Sequence, residues 1–435
     1  MAHALSSLLR PVGALLGGTI AFNAGNSLLG VVLPLRMEAA GHPVWLTGVV
    51  MAAFYLGLAL GGLRAKRVIL RIGHIRAFAA FAAITAASCL AYGLSPSPLW
   101  WMMLRIVGGF CIAGMTTAIE SWLNERSANE TRGRVLGFYM LTFYLAVAAG
   151  QTMVNLAPVG GEGHLMIAAA LIGLSLVPVA LTRLGEPSLR EVRVLDVAAL
   201  FSVSRTGVAG AGVAGMIVGS FYSLGIVFAR QSGFGVPEAA LLVSTVVMGG
   251  LAFQVPVGLL ADRIDRHVLL AGLLLAVGAT WGLLSFSIWQ GAPYVVTGGL
   301  ALVFGGAISS LYPLCVAQTF DRMDRRYYVA ASGRLLMVYS IGAVIGPVLA
   351  SAAMSAFGTA SFFVLESSIA MAFAIAVLWR ARNGRARPTQ NRRPFVPFPD
   401  GAPVATGLDP RTDPGESDDM TRDMGRNAGF GRRAD

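Results

Sequence analysis

Charge and cysteine are both scarce in this chain. Charged residues make up 13% of its 435 residues, and the mean hydropathy is +0.68. A water-soluble domain of this size needs far more surface charge, so a large soluble core is excluded. The three cysteines, Cys89, Cys111 and Cys315, each lie inside an apolar run, which excludes a disulfide framework or a cysteine metal site.

Catalytic and cofactor-binding patterns are also missing. The glycine-rich stretch at 207–215 lacks the Lys-Ser/Thr ending of a phosphate-binding loop, so it gives no support to an ATPase. No His-Glu metal spacing appears, and no Ser-His-Asp set can be argued. We therefore expect neither a cofactor nor an enzymatic activity.

Long apolar runs are what the chain does contain. A membrane-spanning helix needs roughly 20 apolar residues to cross a hydrocarbon core about 30 Å thick. In lipid, every backbone N–H and C=O needs an internal partner, which favours helices for runs of this length. The sequence therefore predicts an all-α polytopic membrane protein with twelve transmembrane helices, at 12–35, 45–63, 76–94, 99–119, 133–157, 164–182, 206–228, 237–260, 267–286, 294–314, 330–356 and 360–379.

The net charge of +11 is concentrated in every second connection between these runs. Basic loops stay in the cytoplasm by the positive-inside rule, so the basic connections and both chain termini are predicted to be cytoplasmic. The orientation of the chain in the membrane therefore accounts for its excess of basic residues, and a nucleic-acid partner is not expected. The basic connections hold Arg64, Lys66, Arg67, Arg71 and Arg76, then Arg126, Arg132 and Arg134, then Arg183, Arg190, Arg193 and Arg205, then Arg263 and Arg266, and finally Arg322, Arg325 and Arg326.

The longest connection divides the runs into six plus six. We predict an N-terminal six-helix bundle at 1–182, a cytoplasmic central loop at 183–205 and a C-terminal six-helix bundle at 206–380. Two such bundles related by an axis normal to the membrane enclose a central cavity in many transporters. Residues 381–435 are rich in Arg, Pro, Gly and Asp, with few apolar clusters, and are predicted to form a disordered cytoplasmic tail.

Loop and helix motifs resemble those of the major facilitator superfamily. The segment GLLADRIDRH at 258–267 is similar to the superfamily loop pattern G-x-x-x-D-R-x-G-x-R-R, with Gly258, Asp262, Arg263 and Arg266 matching. Asp265 and His267 replace its second glycine and its last basic residue, and the first-half copy has lost its aspartate to Leu70. Two further motifs extend the match to the superfamily: the R-x-x-x-G-x-x-x-A pattern that begins at Arg105, and the glycine-proline motif at 342–347. The chain also resembles the YcaD-like group of this superfamily in several segments, including 119–123, 132–140, 219–225 and 253–263.

The resemblance implies a secondary active transporter of the bacterial inner membrane that moves a small organic solute by alternating access. It also implies a monomer in the lipid bilayer. The resemblance and the scarce buried carboxyl groups together suggest coupling to a proton gradient. The loop motif implies a gating latch, in which a helix-end carboxylate accepts N–H groups and the neighbouring arginines bridge to acidic residues. Short charged loops also serve as simple membrane anchors, which is the alternative.

Polar side chains inside the apolar runs are the candidate substrate contacts, because each costs free energy in lipid unless it has a partner or a wet cavity. Arg105, Gln151 and Tyr222 are predicted to lie at one level, roughly 9 Å below the outer surface, with Asn26 slightly deeper. In the superfamily, spans 1, 4, 7 and 10 line the cavity, which adds Tyr312. Asn26, Arg105, Gln151, Tyr222 and Tyr312 are thus the predicted substrate-binding residues, with interhelical hydrogen bonding as the alternative for each.

Two carboxylic acids are candidates for a proton site. A carboxyl group in an apolar wall can hold a proton near neutral pH and release it when its surroundings change. Glu366 lies in the last span and Glu120 near the cytoplasmic end of span 4. A packing role for Glu366 and an interfacial ion pair for Glu120 are the alternatives.

A second class of function remains open from the sequence. A membrane-embedded sensor or assembly protein with a transporter-like body could act through the Arg-rich tail. Deleting residues 388–435 distinguishes the two, because a transporter should keep its transport activity without them.

Overall fold

The computed structural model describes residues 12–127, 131–181, 196–323 and 327–383, together with Phe395. These residues form twelve helices that are long and apolar enough to cross a membrane, and no strand occurs among them. The predicted all-α polytopic fold is confirmed. The helices are α1 (Gly13–Ala39), α2 (Val44–Ile72), α3 (His74–Ala91), α4 (Pro98–Arg126), α5 (Arg132–Thr152), α6 (Gly163–Ala180), α7 (Arg205–Gln231), α8 (Val236–Arg263), α9 (Arg266–Trp289), α10 (Tyr294–Phe320), α11 (Tyr328–Phe357) and α12 (Ser361–Arg382).

Helix α6 is interrupted at Ser175, which separates Gly163–Leu174 from Leu176–Ala180. Pro178 lies three residues further on, and a proline inside a helix lacks the N–H for the bond to the preceding turn. The Ser175 hydroxyl donates to the Ile172 carbonyl over 2.6 Å. Local backbone geometry therefore changes in α6 without ending the span.

The structure differs from the sequence prediction at several boundaries; α2, for example, continues to Ile72, whereas its span was predicted to end at residue 63. The predicted central loop at 183–205 contains a short helix, Val197–Val203, whose start is capped by Asp196 accepting from the Ala198 N–H. Residues 183–195 lie outside the described residues. The last span continues to Arg382, two residues beyond the predicted end of the C-terminal bundle, and the predicted tail beyond Asn383 lies outside the described residues except for Phe395.

Glycines allow pairs of helices within each bundle to touch backbone to backbone. In the N-terminal bundle, Gly57 of α2 packs on the Ile106 carbonyl of α4. In the C-terminal bundle, Gly249 of α8 packs on the Leu302 carbonyl of α10. Neither site has room for a Cβ atom. Small residues permit this close approach between membrane helices.

A second glycine contact also occurs once in each bundle, between helices whose numbers differ by six from one bundle to the other. Gly150 of α5 packs on the Ala24 carbonyl of α1, and Gly342 of α11 packs on the Gly212 carbonyl of α7. Contacts α1–α5 and α2–α4 in one half thus correspond to α7–α11 and α8–α10 in the other. The two six-helix bundles are built on the same internal plan.

Within the described residues, the bundles contact each other between α2 and α11, α5 and α8, α1 and α7, and α2 and α7. Twelve crossings bring Gly13 and Arg382 to the same end of the molecule, which we call the terminal end. We call the opposite end, where α2 begins and α11 ends, the far end. These lines of contact surround the central space.

Candidate functional site

A cavity of about 170 Å³ lies between the two bundles near the middle of the spans. Helices α1, α2, α4 and α5 of the N-terminal bundle contribute most of its lining, and α7, α8 and α11 complete it from the other side. Side chains from both bundles therefore share one space. A ligand bound there would contact both halves of the molecule at once.

Four of the five predicted substrate-binding residues line this cavity. Asn26 comes from α1, Arg105 from α4, Gln151 from α5 and Tyr222 from α7. Tyr312 of α10 is not among the described lining residues. Its ring centroid lies 4.8 Å from that of Tyr339 of α11, which does line the cavity. The arrangement brings four dispersed sequence positions together, and their role in binding stays a prediction.

Arg105 is deeply buried, with 5% of its surface exposed. Its guanidinium carbon lies 4.4 Å from the centroid of the Phe54 ring, a cation–π contact. Among the described residues, neither Nε of Arg105 nor Oε1 of Gln151 has a hydrogen-bond partner. The two side chains are therefore not bonded to each other through that amide oxygen.

A hydrogen bond connects the cavity wall to Glu120. Tyr139 of α5 lines the cavity, and its hydroxyl donates to Oε1 of Glu120 on α4 over 2.9 Å. Glu120 itself has no exposed surface. The sequence identified Glu120, but it could not show that a tyrosine stands between this carboxylate and the cavity.

Glu366 on α12 is buried and does not line the cavity. Neither of its carboxyl oxygens has a hydrogen bond that meets ordinary geometry within the described residues. Ser220 of α7 is its polar neighbour, and that hydroxyl already donates to the Met216 carbonyl over 2.7 Å. An ionised carboxylate in such surroundings carries a large desolvation cost.

The far end of the cavity is covered by tight packing of α2 against α11. The backbone N–H of Trp45 donates to the Ser355 hydroxyl over 2.9 Å. One turn deeper, Gly48 lies directly against Ser351, and a Cβ at this glycine would come within 2.7 Å of the Pro347 carbonyl oxygen. This seam brings the two bundles together without room for any larger side chain.

The second line of contact, between α5 and α8, contains hydrogen bonds at two depths. Toward the far end, the Ser244 hydroxyl donates to the Ala148 carbonyl over 3.1 Å. Near the middle, Nε2 of Gln254 donates to the Tyr144 hydroxyl over 3.0 Å. Tyr144 also lines the cavity, so this contact joins the cavity wall to the opposite bundle.

The predicted loop motif lies at the terminal end, between α8 and α9. Oδ1 of Asp262 accepts a hydrogen bond from the backbone N–H of Phe395 over 2.7 Å. The Phe395 ring packs over Gly258, where a Cβ atom would lie 3.1 Å from the ring. The carboxylate of the motif therefore accepts an N–H, as its chemistry predicts, and the donor comes from the C-terminal segment.

The two arginines of the motif differ in their surroundings. Arg266 is buried, and its Nη1 lies 2.5 Å from Oδ2 of Asp321 and 2.8 Å from the Ala317 carbonyl oxygen at the end of α10. Arg263 is exposed. Of the two, Arg266 forms the bridge to an acidic residue that the motif implies.

Asp265 stands where the superfamily loop has a glycine, and it caps α9 by accepting from the His267 N–H over 2.8 Å. Burial opposes ionisation of this carboxyl group. The N–H groups of His267 and Val268 outweigh that effect and hold the pKa of Asp265 below its ordinary value. The substitution thus adds a helix cap to the motif.

Within the described ranges, no group of three or more His, Cys, Asp or Glu side chains could hold a metal ion. The site offers one guanidinium, three amide side chains and an aromatic wall. Groups of these kinds can donate and accept hydrogen bonds and pack against a flat surface.

Comparison with known proteins identifies the family. The family model of the Major Facilitator Superfamily matches residues 15–234 and 206–414. This chain belongs to that superfamily. An uncharacterized MFS-type transporter of Enterobacter sp. (strain 638) is 25% identical over 380 residues, covering 87% of this chain and 97% of the relative. The uncharacterized MFS-type transporter YcaD of Escherichia fergusonii is 25% identical over 382 residues, covering 87% and 98%. The predicted membership of the YcaD-like group is confirmed.

Solved structures show the same fold. The nucleoside transporter NupG superposes with a TM-score of 0.69 at 13% identity, covering 86% of this chain and 99% of NupG. A bacterial homolog of the human lysosomal transporter Spinster, in an inward-facing and occupied conformation, gives 0.64 at 16% identity, covering 95% and 98%. The chain is a multi-pass membrane transporter with bacterial relatives and the major facilitator fold.

Proposed function

We propose that this protein is a secondary active transporter that moves a small organic solute by alternating access. The observation that carries the proposal is the central cavity, which both bundles line and which the α2–α11 seam covers at the far end. Rocking of one bundle against the other exposes such a cavity to each side of the membrane in turn. Asn26, Arg105, Gln151 and Tyr222 are the proposed substrate contacts, and Tyr312 supports the cavity wall through Tyr339.

Proton coupling is part of the proposal, with Glu120 as the first candidate site. Its hydrogen bond from Tyr139 joins it to the cavity wall, so a change in its protonation alters a side chain that substrate can touch. Glu366 is the second candidate, because it is a buried carboxyl group with both oxygens unpartnered in the described structure. It lies outside the cavity, so its effect would pass through Ser220 and α7.

The proposed orientation places both termini in the cytoplasm of a bacterial inner membrane. The terminal end carries the arginine-rich connections, which supports this orientation by the positive-inside rule. The far end then faces the periplasm, and the Gly258–Arg266 loop serves as a cytoplasmic latch. A fluorescent protein fused to the C-terminus reports a cytoplasmic location, whereas a periplasmic reporter such as alkaline phosphatase should be inactive there.

A reversible cross-link across the far end tests the transport mechanism. The double variant Trp45→Cys and Ser355→Cys puts one thiol on each of the two residues that the hydrogen bond from the Trp45 backbone N–H to the Ser355 hydroxyl brings together. The three native cysteines are buried, which limits competing reactions. Proteoliposomes are incubated with pooled metabolites, and the retained solutes are identified by mass spectrometry against empty liposomes.

We expect at least one solute to be retained by the reduced protein, lost on oxidation and recovered on reduction. Each single-cysteine variant serves as a control and should be insensitive to oxidation. Retention that does not differ from empty liposomes, or that is unaffected by the cross-link, would contradict alternating access.

A sensor or assembly function is the second candidate, and the contact of Phe395 with Gly258 and Asp262 is the observation that favours it. That contact connects the C-terminal segment to the loop between α8 and α9. Removing residues 388–435 leaves transport intact if the tail is dispensable. Loss of a cellular response while transport continues would assign the tail an additional signalling role.

A further inference from the structure

Arg105 brings one permanent positive charge to the cavity. It is the one charged side chain among the described residues that line it. A guanidinium group stays protonated at any physiological pH. The guanidinium carbon lies over the Phe54 ring, and the N–H groups point outward in the plane of the guanidinium. The Tyr92 side chain is one hydrogen-bond partner of this group, whereas Nε has none in the described part of the chain. A planar fork of donors is therefore held at the cavity wall.

The described residues supply no carboxylate to balance this charge. The titratable neighbours of Arg105 are Tyr92, Tyr55 and Cys89. The ion pairs found among described residues involve other side chains. A buried charge without an opposite charge is strongly unfavourable. The missing negative charge is best supplied by whatever enters the cavity.

A second, smaller space lies behind Arg105, bounded also by Thr85, Ser88 and Tyr92. Its volume is about 10 Å³, near the lower limit for a single water molecule. It can help to solvate the guanidinium but cannot accommodate a carboxylate with a carbon body. An anionic partner must therefore approach Arg105 from the central cavity.

The shape and lining of the central cavity limit the rest of the ligand. Its volume of about 170 Å³ is close to that of an engineered protein cavity of roughly 150 Å³ that binds benzene. Seven of the lining residues are aromatic, and the faces of their rings favour a flat body. Oε1 of Gln151 is free to accept one hydrogen bond in the described structure. The aromatic lining residues are Phe54, Tyr55, Tyr139, Phe143, Tyr144, Tyr222 and Tyr339.

We propose that the substrate is an organic monoanion with a planar, ring-sized body, whose carboxylate binds the guanidinium of Arg105. The single charge of the wall matches a single charge on the ligand. A carboxylate accepts two parallel N–H bonds from a guanidinium, which fixes its orientation as well as its charge. This inference rests on the proposed function, because it names the class of solute that the transporter carries.

Binding to the purified full-length protein in detergent tests the inference. The probes are benzoate, the uncharged benzamide and the cationic benzylamine, which have the same ring and similar size. We measure each dissociation constant by isothermal titration and each shift in unfolding temperature by differential scanning fluorimetry. Benzoate should bind about ten- to a hundredfold more tightly than benzamide, the range expected for a hydrogen bond to a charged group. Benzylamine should bind more weakly still.

Variants of Arg105 assign the preference to this side chain. In Arg105→Gln the difference between benzoate and benzamide should disappear, while Arg105→Lys should keep part of it because the charge remains. Arg36→Gln is the control, since Arg36 is also little exposed but lies 3.7 Å from Glu162, away from the cavity. Retained benzamide binding, or retained selectivity in Arg105→Lys, shows that the site is folded.

Three outcomes would overturn the inference: no measurable binding of benzoate, equal binding of the three probes, or unchanged selectivity in Arg105→Gln. The outcome for transport is separate. If benzoate binds but no uptake is sensitive to the cross-link, the anion site is supported and the proposed transport function is contradicted. Cross-link-sensitive uptake of neutral or cationic solutes, unchanged in Arg105→Gln, would leave the transporter intact and overturn the anion site.

Discussion

The Tyr139 hydroxyl donates to Oε1 of Glu120 over 2.9 Å, and the same tyrosine forms part of the cavity wall. A single side chain thus separates a fully buried carboxyl group from the space where substrate is proposed to bind. An ionised Glu120 can only accept hydrogen bonds, including this one from Tyr139. A protonated Glu120 also carries an O–H donor, so the arrangement of the two side chains can change when the proton binds. The pair is therefore placed to couple a proton to the shape of the cavity.

Glu120→Gln should separate solute exchange from proton-driven accumulation. The amide keeps a hydrogen-bond acceptor for Tyr139 but cannot gain or lose a proton. We expect exchange across liposomes at equal pH to continue, while accumulation driven by a pH gradient falls by at least about tenfold, the effect of about 1.4 kcal/mol. Glu162→Gln, at a half-exposed acid near the far end, is the control. Unchanged accumulation in Glu120→Gln would eliminate this carboxyl group as the proton site.

Gly48→Val should hold the far end open. The added side chain meets Ser351 and the Pro347 carbonyl, so the α2–α11 seam cannot close without displacement of a backbone. Spin labels at Pro43 and Phe357, on the two helices at this end, should show a longer distance distribution. Gly62→Ala on the same helix is the control, because a Cβ there meets the nearest side-chain atom, from Leu336, at an ordinary 3.9 Å. Equal distances in both variants would show that the seam is not a gate.

Arg266→Gln should destabilise the protein, whereas Arg263→Gln should not. Removing Arg266 breaks its buried ion pair with Asp321, and the loss of one partner of a buried ion pair costs about 3–5 kcal/mol. Arg263 is exposed at the same loop, so its substitution should change stability by less than about 0.5 kcal/mol. Thermal unfolding in detergent measures both. Comparable unfolding temperatures would mean that the ion pair contributes little to the fold.

Gly57→Ala should also lower stability, by about 1–3 kcal/mol, because it forces α2 away from the Ile106 carbonyl of α4. Gly137→Ala provides a matched helix substitution at a position with open space around it. That control should be neutral or slightly stabilising, since alanine favours helices more than glycine. The same unfolding temperature in both variants would indicate that the backbone contact is readily relaxed.

The sequence was sufficient to predict twelve spans because hydrophobic length is a local property. It also identified Arg105, Asn26, Gln151 and Tyr222 as polar groups at membrane depth, and the structure places all four around one cavity. Tyr312 was predicted to join them, yet it lies behind Tyr339 because the rotation of α10 depends on packing that no local pattern encodes. The short helix Val197–Val203 was missed for a related reason, since seven residues carry too weak a periodic signal.

Contacts between distant residues were beyond prediction from sequence. Nothing in the spacing of Glu120 and Tyr139 shows that they face each other across α4 and α5. The stacking of Arg105 on Phe54 likewise depends on the close approach of α2 and α4 at Gly57. Chemistry could be assigned to single residues, but the pairs emerged only once the helices were packed.

The repeated glycine contacts limit where the molecule can change shape. Helices that touch through their main chains have no intervening side chains to change rotamer, so separating them would open empty space along their length. Each half is consequently a stiff block. In the proposed transport cycle, displacement would then occur at the joints between blocks, where single hydrogen bonds such as Gln254–Tyr144 can break and reform with new partners.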